Sequence, residues 1–300
     1  MLTVQGKYFD TVNSITAECS EKVLDAAMKL CERYEHILSK TISGSDVWNI
    51  NHSRGGGVQL RSETRDILAC ALDFYDKTDG AFNIGMKPLI DVWDIKHRDT
   101  PPAEEEIKAA LQNIDISSIQ LGNNYVLLPD KNISIDLGGI AKGYIADRVA
   151  DYLRCNGVDS ALLNFGGNIV CVGSKPDGTP WNIGLQSPFG QTQTDFFAIT
   201  EIADGTVVTS GIYERCFMYE GKIYHHIIDP RTGQPSDSGI ISASVIGKNS
   251  MIADALATSI ILLGREKGLK LAEDFGYYAV CVSENGSVHK SEKIQINAIV

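Results

Sequence analysis

Ile135-Asp136-Leu137-Gly138-Gly139-Ile140-Ala141-Lys142-Gly143-Tyr144 reads as the end of a strand that passes through paired glycines into a helix. Such a turn brings backbone groups and a helix N-terminus close to a ligand, an arrangement suited to phosphate. The spacing is neither the GxxxxGK[ST] of a P-loop nor the GxGxxG of a dinucleotide fold. Taken alone, the segment also fits a plain strand-to-helix turn. The same grammar recurs once. Ile133–Asp136, a glycine turn and a helix containing Ile145-Ala146-Asp147 parallel Ile240–Ile246, a turn and a helix containing Ile252-Ala253-Asp254. Each helix leads back to a strand, Ala161–Asn164 in one case and Tyr278–Val282 in the other. Three shared residues leave an ancient duplication and chance recurrence both open.

Outward from this pair the chain alternates helix and strand without a break. Val23, Ala27, Leu30, Cys31, Tyr34, Ile37 and Leu38 recur at helical spacing, as do Ile67, Leu68, Ala71, Leu72 and Tyr75. A third helix is predicted after Thr100-Pro101-Pro102, with Glu104, Glu105 and Glu106 in the first turn, where the dipole favours acids. From Ser117 strands dominate. Gly122-Asn123-Asn124 between Ser118–Leu121 and Tyr125–Leu128 is a hairpin signal. Glu220-Gly221 between Cys216–Tyr219 and Lys222–Ile228 is a second, and Asn285-Gly286 between Ala279–Val282 and Val288–Lys290 a third. No Pro/Ser-rich linker or low-complexity tract divides residues 1–300, so the expectation is one α+β domain with an internal pseudo-repeat left open.

Composition narrows the function. With 43% apolar and 22% charged residues, and no run of apolar residues long enough for a membrane span, the chain has ordinary soluble composition and no transmembrane segment. A net charge of −11 argues against nucleic acid as a partner. It also means that an anionic substrate needs a neutralising cation, for which a bound divalent metal is the natural device. The seven cysteines are odd in number and none is spaced as CxxC, which fits a reducing compartment and mostly buried thiols without chemistry. Met1 to Asp10 has no basic region followed by an apolar one, so a cytoplasmic location is expected, although a chain stripped of a signal would read the same.

Three constellations carry candidate chemistry. The first is the Asp136–Tyr144 turn. In Asn249-Ser250-Met251-Ile252-Ala253-Asp254-Ala255-Leu256-Ala257-Thr258, Asn249 or Ser250 caps a helix on whose one face Asp254 and Thr258 sit, four residues apart. Hard oxygens in that arrangement suit Mg²⁺, with water, carbonyls and substrate phosphates completing the shell. The plain alternative is an acid near a helix start and a Thr bonded back to a carbonyl. In Tyr224-His225-His226-Ile227-Ile228-Asp229-Pro230-Arg231-Thr232-Gly233-Gln234-Pro235 a strand delivers the two histidines to opposite faces before an Asp-Pro turn. One of them is thereby offered as a general base, or both are ordinary strand residues. Asn164-Phe165-Gly166-Gly167-Asn168 and Thr209-Ser210-Gly211 add glycine turns at strand ends.

Together, and in this order, these segments resemble the ApbE-like FAD:protein FMN transferases. The resemblance is carried by Asp136–Tyr144, Asn164–Asn168, Thr209–Phe217, His226–Pro235 and Ala253–Thr258, with Gly80-Ala81-Phe82-Asn83-Ile84, Pro88-Leu89, Trp93 and Phe9-Asp10-Thr11-Val12 upstream. It implies an α+β, T-fold-like domain with mixed and antiparallel sheets and flanking helices. It implies FAD as substrate, Mg²⁺ at the pyrophosphate, and transfer of FMN to a Thr or Ser hydroxyl of an acceptor flavoprotein with release of AMP. The family's acceptors present a short Asp-Gly-x-Ser/Thr-Gly-Ala-Ser/Thr-like segment. By resemblance the metal falls to Asp254 and Thr258 with the carbonyls of Gly139 and Ala257. FAD contacts fall to Ala81, Phe82, Asn83, Asp136, Lys142 and Ile228, and transfer to His226. Asn83 stands where the family commonly has Asp, and the region around Thr41, where relatives place an aromatic, matches loosely. Two rivals remain: a Mg-dependent FAD pyrophosphatase giving FMN and AMP, and a non-catalytic FAD-binding protein.

Overall fold

The computed structural model describes all residues except 191, 193, 194, 293, 295, 296, 299 and 300. The chain opens with β1 (Leu2–Tyr8) and β2 (Thr11–Ala17), then α1 (Glu21–Leu38), α2 (Asp46–Asn51), β3 (Gly57–Gln59) and α3 (Ser62–Lys77). Next come α4 (Lys87–Trp93), α5 (Glu104–Leu111), β4 (Gln120–Leu121), β5 (Tyr125–Leu127) and α6 (Ala141–Cys155). A run of strands follows: β6 (Ala161–Phe165), β7 (Asn168–Val172), β8 (Trp181–Gln186), β9 (Phe196–Ile202), β10 (Gly205–Gly211), β11 (Cys216–Tyr219), β12 (Lys222–His225) and β13 (Ile240–Gly247). The chain finishes with α7 (Ser250–Leu263), α8 (Arg265–Asp274), β14 (Tyr278–Ser283), β15 (Val288–Lys290) and β16 (Asn297–Ala298). The α+β class expected from the sequence is the class observed.

The organising layer is an antiparallel sheet of eight strands in the order β1-β2-β6-β7-β10-β13-β14-β15. Its middle strands are buried on both faces, which is why β13 reads Ile-Ile-Ser-Ala-Ser-Val-Ile with small or apolar residues throughout instead of alternating. One face is covered by α6 and α7, which pack on β7, β10 and β13. On the other, Trp181, Ile183 and Leu185 of β8 and Ala198 of β9 join Cys171, Val207, Ile246 and Val280 in a second core. Caught between α6, α3 and the sheet, α7 is apolar nearly all round, as a helix with no solvent face must be. A carboxylate in the middle of it, Asp254, is therefore anomalous.

The three predicted helices and three predicted hairpins are present, with shorter strands at β4, β5 and β12. Ile133–Asp136, expected as a strand, is not one. It runs extended but finds its partners elsewhere: Asn51 donates from Nδ2 to the Ile135 carbonyl at 2.9 Å and accepts from the Ile135 N–H at 2.7 Å. The Asp136 N–H donates to the Ile84 carbonyl at 2.8 Å. A side-chain amide thus satisfies the backbone as a neighbouring strand would. Likewise β12 stops at His225, and Ile228 keeps only an isolated bridge to Pro235.

Candidate active site

The site is built where α6 meets α7. Gly143, in the first turn of α6, lies so close to α7 that a Cβ there would stand 2.2 Å from the Ser250 carbonyl oxygen. Only glycine permits that approach. Asn249 is the cap of α7, accepting the Ile252 N–H at Oδ1 (3.0 Å), while Ser250 is buried in the first turn. From α6, Asp147 accepts the N–H groups of Ser250 (2.8 Å) and Met251 (2.9 Å). Burial pushes its carboxyl up to about 6, against the downward pull of those two donors.

Asp254, only 2% exposed, accepts the Gly143 N–H at Oδ2 (3.0 Å), and its Oδ1 lies 3.3 Å from Lys142 Nζ. That contact is loose for a charge-assisted bond, so the ammonium balances the buried charge without occupying the oxygen tightly. One turn on, the Thr258 hydroxyl lies 3.4 Å from that of Ser210 on β10. Gly139 faces the same point: a Cβ on it would be 3.6 Å from Thr258 Oγ1 and 3.4 Å from the Phe82 ring. Ala257 is fully buried in the same turn of α7 as Thr258, and a helical carbonyl keeps a second lone pair. Carboxylate, hydroxyl and carbonyl oxygens without thiolate or imidazole are the donor set of a hard cation, so these residues fit Mg²⁺.

Around this point the other candidate residues are drawn in unequally. Asp136 turns its Oδ1 to the Gly138 N–H (2.7 Å) and pairs its Oδ2 with Lys40 Nζ at 2.6 Å. Asn83 accepts the Gly85 N–H (2.7 Å) and donates to the Ile114 carbonyl (3.0 Å). The second bond needs an amide donor, which an Asp in this place would not supply. Ala81, Phe82 and Ile228 are 2%, 4% and 6% exposed, so a ligand meets chiefly their backbone or a ring edge. Ile228 packs with Met86, Leu89 and Trp93, and the Trp93 indole donates to the Gly233 carbonyl at 2.7 Å, tying α4 to the Asp-Pro-Arg-Thr-Gly turn.

The two histidines part company where β12 ends at His225, His226 lying just beyond the strand. His225 is 3% exposed, with Nε2 3.0 Å from the Ser236 carbonyl and Nδ1 accepting the Ile227 N–H. It is a satisfied core residue. His226 is partly exposed, and its Nδ1 lies 3.2 Å from the Arg215 carbonyl. A carbonyl can only accept, so Nδ1 carries the proton and Nε2 is left with a free lone pair. Burial, then the Arg215 cation, then His225 and Lys142 hold the ring down to about 4, so it is neutral at pH 7.

Several participants escaped the sequence reading: Lys40, Asn51, Asp147 and Arg215. Asp147 alone had a signal, its place in the repeated Ile-Ala-Asp. The thiols are less uniformly buried than expected. Cys31, Cys171 and Cys281 are buried, but Cys155 and Cys216 are exposed, and Cys216 falls inside the Thr209–Phe217 segment. It pairs across the hairpin with His225, not His226. Those two also line a cavity of about 710 Å³ with Phe189, Tyr213, Ile223 and Pro235, to which Asp136, Lys142, Asp254 and Thr258 do not contribute.

A buried carboxylate, paired hydroxyls and a neutral imidazole around glycine turns are groups that can meet a hard cation and move a proton. The sequence profile of the ApbE family matches residues 9–281, and the chain belongs to that family. It is 37% identical over 275 residues to the FAD:protein FMN transferase of Klebsiella pneumoniae (strain 342), covering 89% of this chain and 84% of that one. It is 34% identical over 269 residues to the protein of the same name from Treponema pallidum (strain Nichols), covering 84% and 74%. The crystal structure of the ApbE protein of Thermotoga maritima superposes with a TM-score of 0.88 at 29% identity, over 97% of both chains. Flavin Transferase ApbE from Vibrio cholerae superposes with a TM-score of 0.85 at 26% identity, over 97% and 96%. The protein is an enzyme, a transferase.

Proposed function

We propose that the enzyme transfers the FMN half of FAD to a Thr or Ser hydroxyl of an acceptor flavoprotein, in a reaction that needs Mg²⁺ and releases AMP. The observation that carries this reading is the pairing of a buried carboxylate, one oxygen of which is only loosely engaged, with an imidazole whose free lone pair is fixed by the Arg215 carbonyl. Asp254 and Thr258, with the Gly139 and Ala257 carbonyls, would hold Mg²⁺, which when bound offsets the pyrophosphate charge. Lys142 adds a cation beside the same phosphates. His226 Nε2 takes the proton of the acceptor hydroxyl as its oxygen forms a bond to the FMN-side phosphorus, and the bond from that phosphorus to the AMP oxygen breaks. Nδ1–H, held by Arg215, keeps the ring from turning. Asp136, Asn83, Ala81, Phe82 and Ile228 shape the walls for the flavin and adenine.

Purified enzyme, FAD, Mg²⁺ and an acceptor bearing the Ser/Thr motif should give a fluorescent acceptor band on a denaturing gel, with one AMP per flavin attached. Equal AMP release with and without acceptor, and no fluorescent band, identifies a pyrophosphatase instead.

A further inference from the structure

The two Ile-Ala-Asp motifs meet across the α6–α7 junction in a reciprocal exchange. Asp254 of α7 accepts the N–H of Gly143, four residues before Asp147, and Asp147 of α6 accepts the N–H of Ser250, four residues before Asp254. The exchange is reciprocal at one oxygen of each carboxylate, and the likeness ends at the second. Asp147 Oδ2 is taken by the Met251 N–H at 2.9 Å, whereas Asp254 Oδ1 meets only the distant Lys142 ammonium. One carboxylate is fully committed to backbone; its counterpart keeps an oxygen in hand.

We propose that Asp147 is a positioning residue for the cation site: by holding both N–H groups at the start of α7 it fixes where Asp254 Oδ1 and Thr258 Oγ1 point. This rests on the magnesium reading above. The anchor sits where the helices touch, since α7 is packed against Gly143 at its first residue, and Asp254 and Thr258 follow within about two turns of it. Asp147 itself is 8% exposed and lies on the other helix, so its influence on a cation passes through α7.

Asp147→Asn tests this, because an amide can accept from one of the two N–H groups but turns its NH₂ toward the other. Groups that orient metal ligands typically change affinity 10–100-fold when replaced, so about tenfold weaker cation binding is expected. It should appear both as a higher magnesium requirement for transfer and as weaker Mn²⁺ binding by electron paramagnetic resonance. FAD affinity without metal should stay within about twofold, and saturating magnesium should restore kcat, since the ligands themselves remain. Ser250→Pro is the second variant: proline is tolerated at a first helical position but removes one of the two donors. It should shift the magnesium requirement in the same direction. A folded Asp147→Asn enzyme with unchanged Mn²⁺ affinity overturns the proposal, and so does a loss of kcat that magnesium cannot restore. Magnesium-independent transfer by the wild type would instead overturn the metal reading itself.

Discussion

Gly143→Ala sets two quantities against each other. By helix propensity alone, alanine in place of glycine inside a helix stabilises by about 1 kcal/mol. At this position, however, the new Cβ would stand 2.2 Å from the Ser250 oxygen, 2.5 Å from its carbonyl carbon and 2.7 Å from Met251 Cα, all backbone atoms that cannot rotate away. Ordinary contact begins near 3.5 Å, so α6 and α7 must part by roughly 1 Å. Overpacking of that kind costs about 1–3 kcal/mol. The same movement stretches the Asp147 bonds to Ser250 and Met251 and the Asp254 bond to Gly143, now 2.8, 2.9 and 3.0 Å, toward the limit of hydrogen bonding. Bonds to charged groups contribute about 1.5–3 kcal/mol each when broken outright, and partial loss of the set adds a further 1–2. The net expectation is destabilisation by about 1–4 kcal/mol, with transfer activity falling because Asp254 is displaced. Urea unfolding followed by circular dichroism measures the first, and in-gel flavin fluorescence the second. A variant as stable as the wild type, or more stable, would show that the helices have slack and that the reasoning from contact is wrong.

Other outcomes follow from the same geometry. His226→Ala should abolish acceptor labelling while FAD still binds, and labelling at the wild-type rate would remove His226 from the chemistry. His225→Ala, by contrast, should lower stability by about 1–3 kcal/mol, because it leaves the Ser236 carbonyl and Ile227 N–H unpaired. The His226 ring should titrate near 4 by NMR and not at the usual 6.5. The folded state then refuses a proton that the unfolded chain accepts, so stability falls as pH drops from about 6.5 toward 4. A midpoint at 6.5 refutes the assigned environment. Alkylation should reach Cys155 and Cys216 but spare Cys31 and Cys171, whose thiols burial pushes up to about 12, and flavin transfer should survive it. Loss of transfer that FAD does not protect against would point to a thiol with a role.

Local signals were legible where they had local causes. The apolar spacing of α1 and α3, the proline-acid start of α5 and the Asn285-Gly286 turn each dictate their element within a few residues. The Phe9-Asp10 turn between β1 and β2 was not legible, because both residues sit at positive φ (55° and 61°) where glycine or asparagine is the usual sign. Phe9 is held there by its N–H on Glu35 Oε1 and Asp10 by Lys96, partners far along the chain. The misread strand at Ile133–Asp136 failed for the same reason: its backbone is satisfied by Asn51, 84 residues away. At the site, ligand-type residues stood out by chemistry, Asp254 in an apolar helix and His226 before a turn. Arg215 meets the imidazole through its backbone carbonyl and leaves no local pattern, and Asp147, which holds the start of α7, shows only in the repeated Ile-Ala-Asp.

Gly143 and Asp254 are joined across 111 residues of chain, and between them lie all eight strands from β6 to β13. The junction of α6 and α7 therefore closes one of the largest loops in the molecule, and such closures form slowly because their entropy must be met before the contact rewards it. During synthesis at about 5–20 residues per second, α6 waits at least several seconds for its counterpart to leave the ribosome. Its first turn, with the glycine approach surface exposed, has no partner in that interval. The meeting of α6 and α7 is thus a late product of folding, and a nascent or truncated chain that stops short of α7 lacks both Asp254 and Thr258.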